Sequence, residues 1–182
     1  ADSAWVHLQV VECENYTHAT RYELPVPPSP NLKSMQAVWL YPSTCLFEGT
    51  VASLGRGTVQ PFCVYGHPQM RGCSYSFTPR SMPGAKHPPL EGKRCLGVDL
   101  SGENPDSVIA RGVNLGYVID AYRRMGRSRS FFTDFFDKLI GNRKVRTMIE
   151  SGKPAQAIRQ TWAKDVEQFR RQREPYLLYP ES

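Results

Sequence analysis

The sequence predicts an α+β fold in which a β-rich N-terminal half packs with helices drawn from the C-terminal half. Three observations carry this prediction. Residues 1–100 hold 11 of the 15 prolines and read as short strands between tight turns. Residues 106–173 change to a 3.6-residue apolar period. The chain then closes on Tyr176-Leu177-Leu178-Tyr179, which reads as a last strand. At 182 residues with 40% hydrophobic side chains, the chain is long and apolar enough to build a sizeable core.

Taken in order, Trp5–Val11 alternates with Val6, Leu8 and Val10 on one face, the pattern of a half-buried strand. Further short strands are expected at Ala37–Tyr41, Phe62–Tyr65, Cys73–Phe77 and Arg94–Leu100. Loop signals separate them: the proline-rich run Pro25–Pro30, the triplet Gly55-Arg56-Gly57, and the long Pro79–Pro89 segment, whose length suggests a functional or flexible loop. In the second half, Leu115, Val118, Ile119 and Tyr122 fall on one face of a helix ending near Gly126. Asp134 is placed to cap a short helix holding Phe135, Phe136 and Leu139. Asn142 is placed to cap another, with Val145, Met148 and Ile149 inward and Gly152 just past its end. Pro154 suits the first turn of a long helix striped by Ile158, Trp162, Asp165 or Val166, and Phe169.

Charge and cysteines narrow the function classes. The formal net charge is +6, and it is uneven: residues 1–100 hold 8 Lys and Arg against 7 Asp and Glu, whereas residues 101–182 hold 15 against 10. A basic half can attract nucleic acid or an anionic surface. Here the bases alternate with acids and lack the aromatic interleaving of RNA-binding motifs, so a solvated helix face is the expectation and no nucleic-acid partner is implied. The longest apolar stretches fall far short of the roughly 20 residues of a membrane-spanning helix. Ala1-Asp2-Ser3 opens without a basic segment and apolar run, so the sequence reads as a mature form or a piece of a longer chain. Cys13, Cys45, Cys63, Cys73 and Cys95 contain no C-x-x-C pair, and no two histidines share a metal-binding spacing. No metal and no cofactor is expected, and the thiols are expected to be free and buried, with one disulfide left open.

The segment from Tyr41 through Glu48-Gly49-Thr50, continuing to Ser53-Leu54-Gly55-Arg56-Gly57-Thr58, holds the candidate chemistry. Glu48 follows Leu46 and Phe47, apolar neighbours that disfavour a bare carboxylate and suit it to proton donation. Gly49, Gly55 and Gly57 allow positive φ and the approach of a ligand to backbone N–H groups. Arg56, between two glycines, is placed to fork onto a carboxylate. The alternative is a turn in which Glu48 and Arg56 simply pair. His67, in Tyr65-Gly66-His67-Pro68, is a candidate ligand contact or a structural turn residue. The glycines match neither a dinucleotide fingerprint nor a phosphate loop.

These motifs in combination resemble one family. Pro27-Pro28-Ser29-Pro30-Asn31-Leu32, the string ending Phe47-Glu48-Gly49-Thr50, Gly55-Arg56-Gly57-Thr58, Tyr65-Gly66-His67-Pro68, Gly97-Val98-Asp99-Leu100 and Phe136-Asp137-Lys138-Leu139-Ile140-Gly141-Asn142 follow the order seen in the C-terminal part of the NamZ-type exo-β-N-acetylmuramidases. Val51 departs from the pattern, in which Asn is common after E-G-T. The resemblance implies a bacterial hydrolase that removes terminal N-acetylmuramic acid from peptidoglycan fragments in cell-wall recycling, in the periplasm or outside the cell. It implies a barrel-like C-terminal domain over residues 31–182, preceded in residues 1–30 by a linker and first strand that follow a Rossmann-like domain absent from this sequence. The active site is then expected in a cleft between the two domains.

Glycoside hydrolysis requires two carboxyl groups. This chain offers Glu48, with Asp99 a poor second, so catalysis by these residues alone is not expected. Recognition of the terminal sugar falls to Arg56 with the N–H groups of Gly55 and Gly57 for the lactyl carboxylate. Asn31, Ser53, Thr50, Thr58 and His67 are the candidates for polar contacts, and Tyr41 or Phe62 for stacking. The function expected is that of the substrate-recognition domain of an exo-acting glycoside hydrolase, the alternative being a stand-alone glycan-binding module without chemistry.

Overall fold

The structure, a computed structural model, describes residues 8–180. These fall into two compact units: one runs Leu24–Trp162, and the other joins the residues up to Glu23 with those from Ala163 onward. The α+β class holds, with seven helices and a three-stranded antiparallel sheet among the described residues.

Within the larger unit, β1 (Val64–His67), β2 (Tyr75–Phe77) and β3 (Cys95–Asp99) form the sheet in the order β1-β3-β2. Tyr65 faces Val98 across β1 and β3, and Ser76 faces Leu96 across β2 and β3. The sheet is open, so the barrel-like closure implied by the family resemblance is absent among the described residues. The expected strands lie close by, at Phe62–Tyr65, Cys73–Phe77 and Arg94–Leu100, each trimmed or shifted by up to two residues.

Ala37–Tyr41 is not a strand. It lies inside α1 (Met35–Thr44), where the Ser34 side chain accepts a hydrogen bond from the Ala37 N–H and caps the helix. A run of five apolar residues carries no period that separates a buried strand from a buried helix turn, and the cap decides the matter. The N-terminal half is therefore less β-rich than expected. Of the opening strand, residues 5–7 lie outside the described residues, and Leu8–Val11 form no regular element.

The helices of the second half follow their local signals. α2 (Pro105–Arg111) was not expected, yet Asn104 caps it and Pro105 occupies its first turn, a legible start signal. α3 (Gly116–Arg124) buries Tyr117, Val118, Ile119, Ala121 and Tyr122. α4 (Asp134–Ile140) begins after Thr133, with Asp134 its first residue instead of its cap. α5 (Arg143–Glu150) is capped by Asn142, whose side chain accepts from the Val145 N–H at 3.2 Å. The long helix expected from Pro154 is broken into α6 (Ala155–Gln160) and α7 (Ala163–Arg173). The Thr161 hydroxyl donates to the Ile158 carbonyl at 2.7 Å and tightens the turn where α6 stops. Ile158 is wholly buried in the core, whereas Phe169 is 61% exposed, so the expected stripe does not continue.

In the smaller unit, α7 buries none of its residues. Tyr176–Tyr179 is no strand either: a 3-10 turn, Glu174–Tyr176, leads into irregular backbone. Pro175 and Pro180 bracket that segment and lack the N–H groups a ladder needs. Instead the Tyr179 hydroxyl accepts from the Cys13 N–H at 2.7 Å, and the Tyr16 ring meets the Tyr179 ring edge-on. All five cysteines are free, and only Cys63 and Cys95 are buried. Among the described residues no helix is long and apolar enough to cross a membrane.

One packing contact positions the site. The 3-10 turn Cys45–Gly49 lies directly on α4, so close that a Cβ on Gly49 would fall 2.4 Å from the Phe136 Cα. The Thr133 N–H bonds to the Gly49 carbonyl at 2.9 Å and the Val51 N–H to the Phe131 carbonyl at 3.0 Å. Gly49→Ala should therefore force backbone apart and lower stability by about 1–3 kcal/mol, the usual cost of overpacking. Urea unfolding checks this, and an unchanged midpoint would show that α4 yields without cost.

Candidate functional site

The chain between α1 and β1 is held at two points. Thr50 bridges Phe132 on one side, and Ser53 bridges Gly66 of β1 on the other through paired backbone bonds of 2.8 and 2.9 Å. Between and beside these points opens a cleft of about 330 Å3. Phe47, Thr50 and Leu54 form its inner lining, Glu48 and Arg56 its polar side, and Pro89 and Phe135 complete its apolar wall.

Arg56 Nη1 lies 3.5 Å from Glu48 Oε1, with side chains 39% and 29% exposed, so the two groups expected in the site do meet. The contact is long for a charge-assisted hydrogen bond, and most of the guanidinium's N–H donors remain for a ligand. Behind Glu48, the Phe47 ring stacks on Tyr65 at 4.6 Å and 19°. The Tyr65 hydroxyl donates to Asp120 Oδ2 at 3.0 Å, and Arg124 Nε donates to the same oxygen at 2.6 Å. Burial, and then the Asp120 charge, push the Tyr65 phenol far above its ordinary value, so it stays protonated and keeps donating. The cleft floor therefore rests on a fixed ring.

The hydroxyls of the segment serve its backbone. Thr50 donates to the Phe47 carbonyl at 2.8 Å and accepts from the Ala52 N–H; Thr58 donates to the Gly55 carbonyl at 2.7 Å and accepts from the Gln60 N–H. Ser53 is fully buried and accepts from the Gly55 N–H. Gly55 and Gly57 have the expected positive φ, +79° and +83°, but what approaches them is the chain itself. A Cβ on Gly55 would meet Val64, and one on Gly57 would meet Pro88. Gly49 is not left-handed. Close approach at these glycines therefore builds the turn, and no ligand is needed to explain it.

The other candidates stand apart from the cleft lining. Asn31 donates from Nδ2 to the Gly84 carbonyl at 2.9 Å, and the Arg80 N–H bonds to the Gly57 carbonyl at 2.8 Å. The Pro79–Pro89 loop is thus pinned at its tip and base, which places Pro89 on the cleft. Tyr41 packs its ring 5.2 Å from Phe62, and Phe62 is only 4% exposed. Asp99 ends β3 and accepts from the Ser101 N–H in a turn. His67 Nδ1 accepts from the Gln69 N–H at 3.1 Å at the end of β1. Phe47, Ala52, Leu54, Pro89 and Phe135 line the cleft without having been among the site candidates of the sequence. Among the described residues no group of three or more His, Cys, Asp or Glu is disposed to hold a metal.

The family described as exo-β-N-acetylmuramidase NamZ, C-terminal, matches residues 39–179, a stretch that includes every cleft residue. The chain belongs to this family. It is 33% identical over 167 residues to the peptidoglycan β-N-acetylmuramidase NamZ of Bacillus subtilis (strain 168), covering 84% of this chain and 40% of that protein. It also superposes on the crystal structure of a DUF1343 family protein from Bacteroides fragilis NCTC 9343 with a TM-score of 0.93 and 55% identity, over 96% of this chain and 49% of that one. The chain thus spans less than half the length of both relatives.

Burial, and then the Lys93 charge, hold the His67 imidazole below its ordinary value. The unfolded chain then binds a proton at a higher pH than the fold does. Stability from neutral His67 is complete above about pH 6.5 and is lost as pH falls through that value toward the folded one. His67→Asn keeps an acceptor for the Gln69 N–H but cannot titrate, so its unfolding midpoint should decline less than the wild type's between about pH 7.5 and 5. Parallel declines in thermal melts would show that His67 does not carry this dependence.

Proposed function

We propose that this domain recognises the terminal N-acetylmuramic acid of peptidoglycan fragments for an exo-acting glycoside hydrolase, in the periplasm or outside the cell. The observation that carries this reading is the Glu48–Arg56 pair on the side of the 330 Å3 cleft. That volume lies at the small end of ligand pockets, about 300–1,000 Å3, and suits one amino sugar better than a chain of them. A single terminal sugar is what an exo-acting enzyme must hold. The relative from Bacillus subtilis is named for this substrate class.

In this reading the lactyl carboxylate competes with Glu48 for Arg56. The guanidinium turns its spare N–H donors to the ligand, and Glu48 is released to face the glycosidic oxygen. Hydrolysis also needs a second carboxyl group several ångströms away, which no other residue lining this cleft supplies. The second group comes from outside the cleft, from a Rossmann-like domain carried by the longer polypeptide. The single carboxyl favours one further reading, a glycan-binding module without chemistry.

The 182-residue chain alone should release no N-acetylmuramic acid from a chromogenic muramide; steady turnover would make the cleft self-sufficient. In a longer polypeptide that includes the catalytic half, Arg56→Ala should lower kcat/KM for a muramyl substrate by about 10- to 150-fold, the equivalent of ~1.5–3 kcal/mol for a charged hydrogen bond. Stability should move by no more than about 0.5 kcal/mol. If the variant unfolds while its folded fraction keeps full selectivity, Arg56 is only the structural partner of Glu48.

A further inference from the structure

α4 carries two adjacent phenylalanines with opposite fates. Phe136 is wholly buried, as is Phe131 before it, and Phe132 is 5% exposed. Phe135 is 47% exposed and lines the cleft. Adjacent helical residues lie about 100° apart, so when Phe136 points to the core, Phe135 must point elsewhere. Packing does not explain an aromatic there. The core behind it is already filled by Phe132 and Phe136, whose centroids lie 4.6 Å apart, and the Phe132 ring is further covered by the Arg146 guanidinium at 5.8 Å. The rings once expected to stack on a sugar, Tyr41 and Phe62, are engaged with each other and do not line the cleft.

We infer that Phe135 is the sugar platform of the site: its ring stacks against the apolar face of the pyranose whose carboxylate Arg56 holds. This rests on the reading proposed above and adds a specificity-determining residue to it. One face of a pyranose presents a patch of C–H groups with slight positive charge, and the face of an aromatic ring is negative, so the two attract in addition to excluding water. Pro89 extends the same apolar wall, and the Glu48–Arg56 pair provides the polar side. A sugar is amphipathic in the same sense: hydroxyl and carboxylate groups at its edge, C–H groups on its face. An aliphatic ligand would bind this wall without needing a ring.

The test titrates N-acetylmuramic acid into the 182-residue chain and into a longer polypeptide that includes the catalytic half, following the sugar protons by NMR. In the wild type, the ring protons of one sugar face should shift upfield under the Phe135 ring current. Phe135→Leu should remove that shift and weaken binding by about tenfold or more, while Phe135→Trp should preserve both; far-UV circular dichroism and melting confirm that each variant folds. Wild-type binding and shifts persisting in Phe135→Leu would overturn the platform and leave the muramyl reading intact. Loss of binding in Arg56→Ala with none in Phe135→Leu would have the same meaning. If neither wild-type protein binds the sugar, the muramyl reading falls and the platform with it.

Discussion

The short segment from Gly49 to Ser53 is fastened on both sides, and the arrangement of the larger unit depends on it. At one end it pairs with residues 131–133 ahead of α4, and at the other it pairs with Gly66 on the edge of β1. Gly49 allows the first contact because no side chain separates it from Phe136. The helix and the sheet are therefore registered to each other through the five residues 49–53. Phe47 and Glu48 immediately precede those residues, so the cleft inherits its geometry from the same contacts.

The polar groups of the site divide into two kinds. The hydroxyls of Thr50, Ser53 and Thr58 bond to nearby backbone, and the turn would lose those bonds if a ligand took them. Glu48 and Arg56 touch each other at 3.5 Å and little else. A rigid hydroxyl-lined turn that carries one loosely paired acid and base concentrates the available chemistry on two side chains. It also separates the residues that shape the site from those that can meet a substrate, a distinction that spacing along the chain does not reveal.

Local signals were the most legible part of the fold. Asn142 as the cap of α5 and Gly126 after α3 were readable because each depends on a few consecutive residues. Ala37–Tyr41 was not, since a short apolar run fits a strand and a helix alike and only Ser34 separates them. The break between α6 and α7 and the irregular Tyr176–Tyr179 depend on turn geometry and tertiary partners. In the site, the meeting of Glu48 and Arg56 was legible from the motif that contains both. Phe135 was hidden because the choice of which neighbouring phenylalanine faces the core depends on how α4 sits, and Pro89 reaches the cleft only by a folded loop.

That loop has its own consequence. Its tip is tied by Asn31 to Gly84 and its base by Gly57 to Arg80, while Pro89 forms part of one wall of the cleft. The inner lining is built from a different stretch of chain, Phe47 to Leu54. Changes in loop length are inexpensive in conformational entropy, about 0.6 kcal/mol per doubling. Insertions or deletions between residue 81 and residue 87 would disturb the Asn31–Gly84 tie and the Met82–Ala85 bridge, whereas Glu48 and Arg56 are carried by other chain. The position of Pro89, and with it the width of the opening, is therefore set by contacts separate from those that hold Glu48 and Arg56.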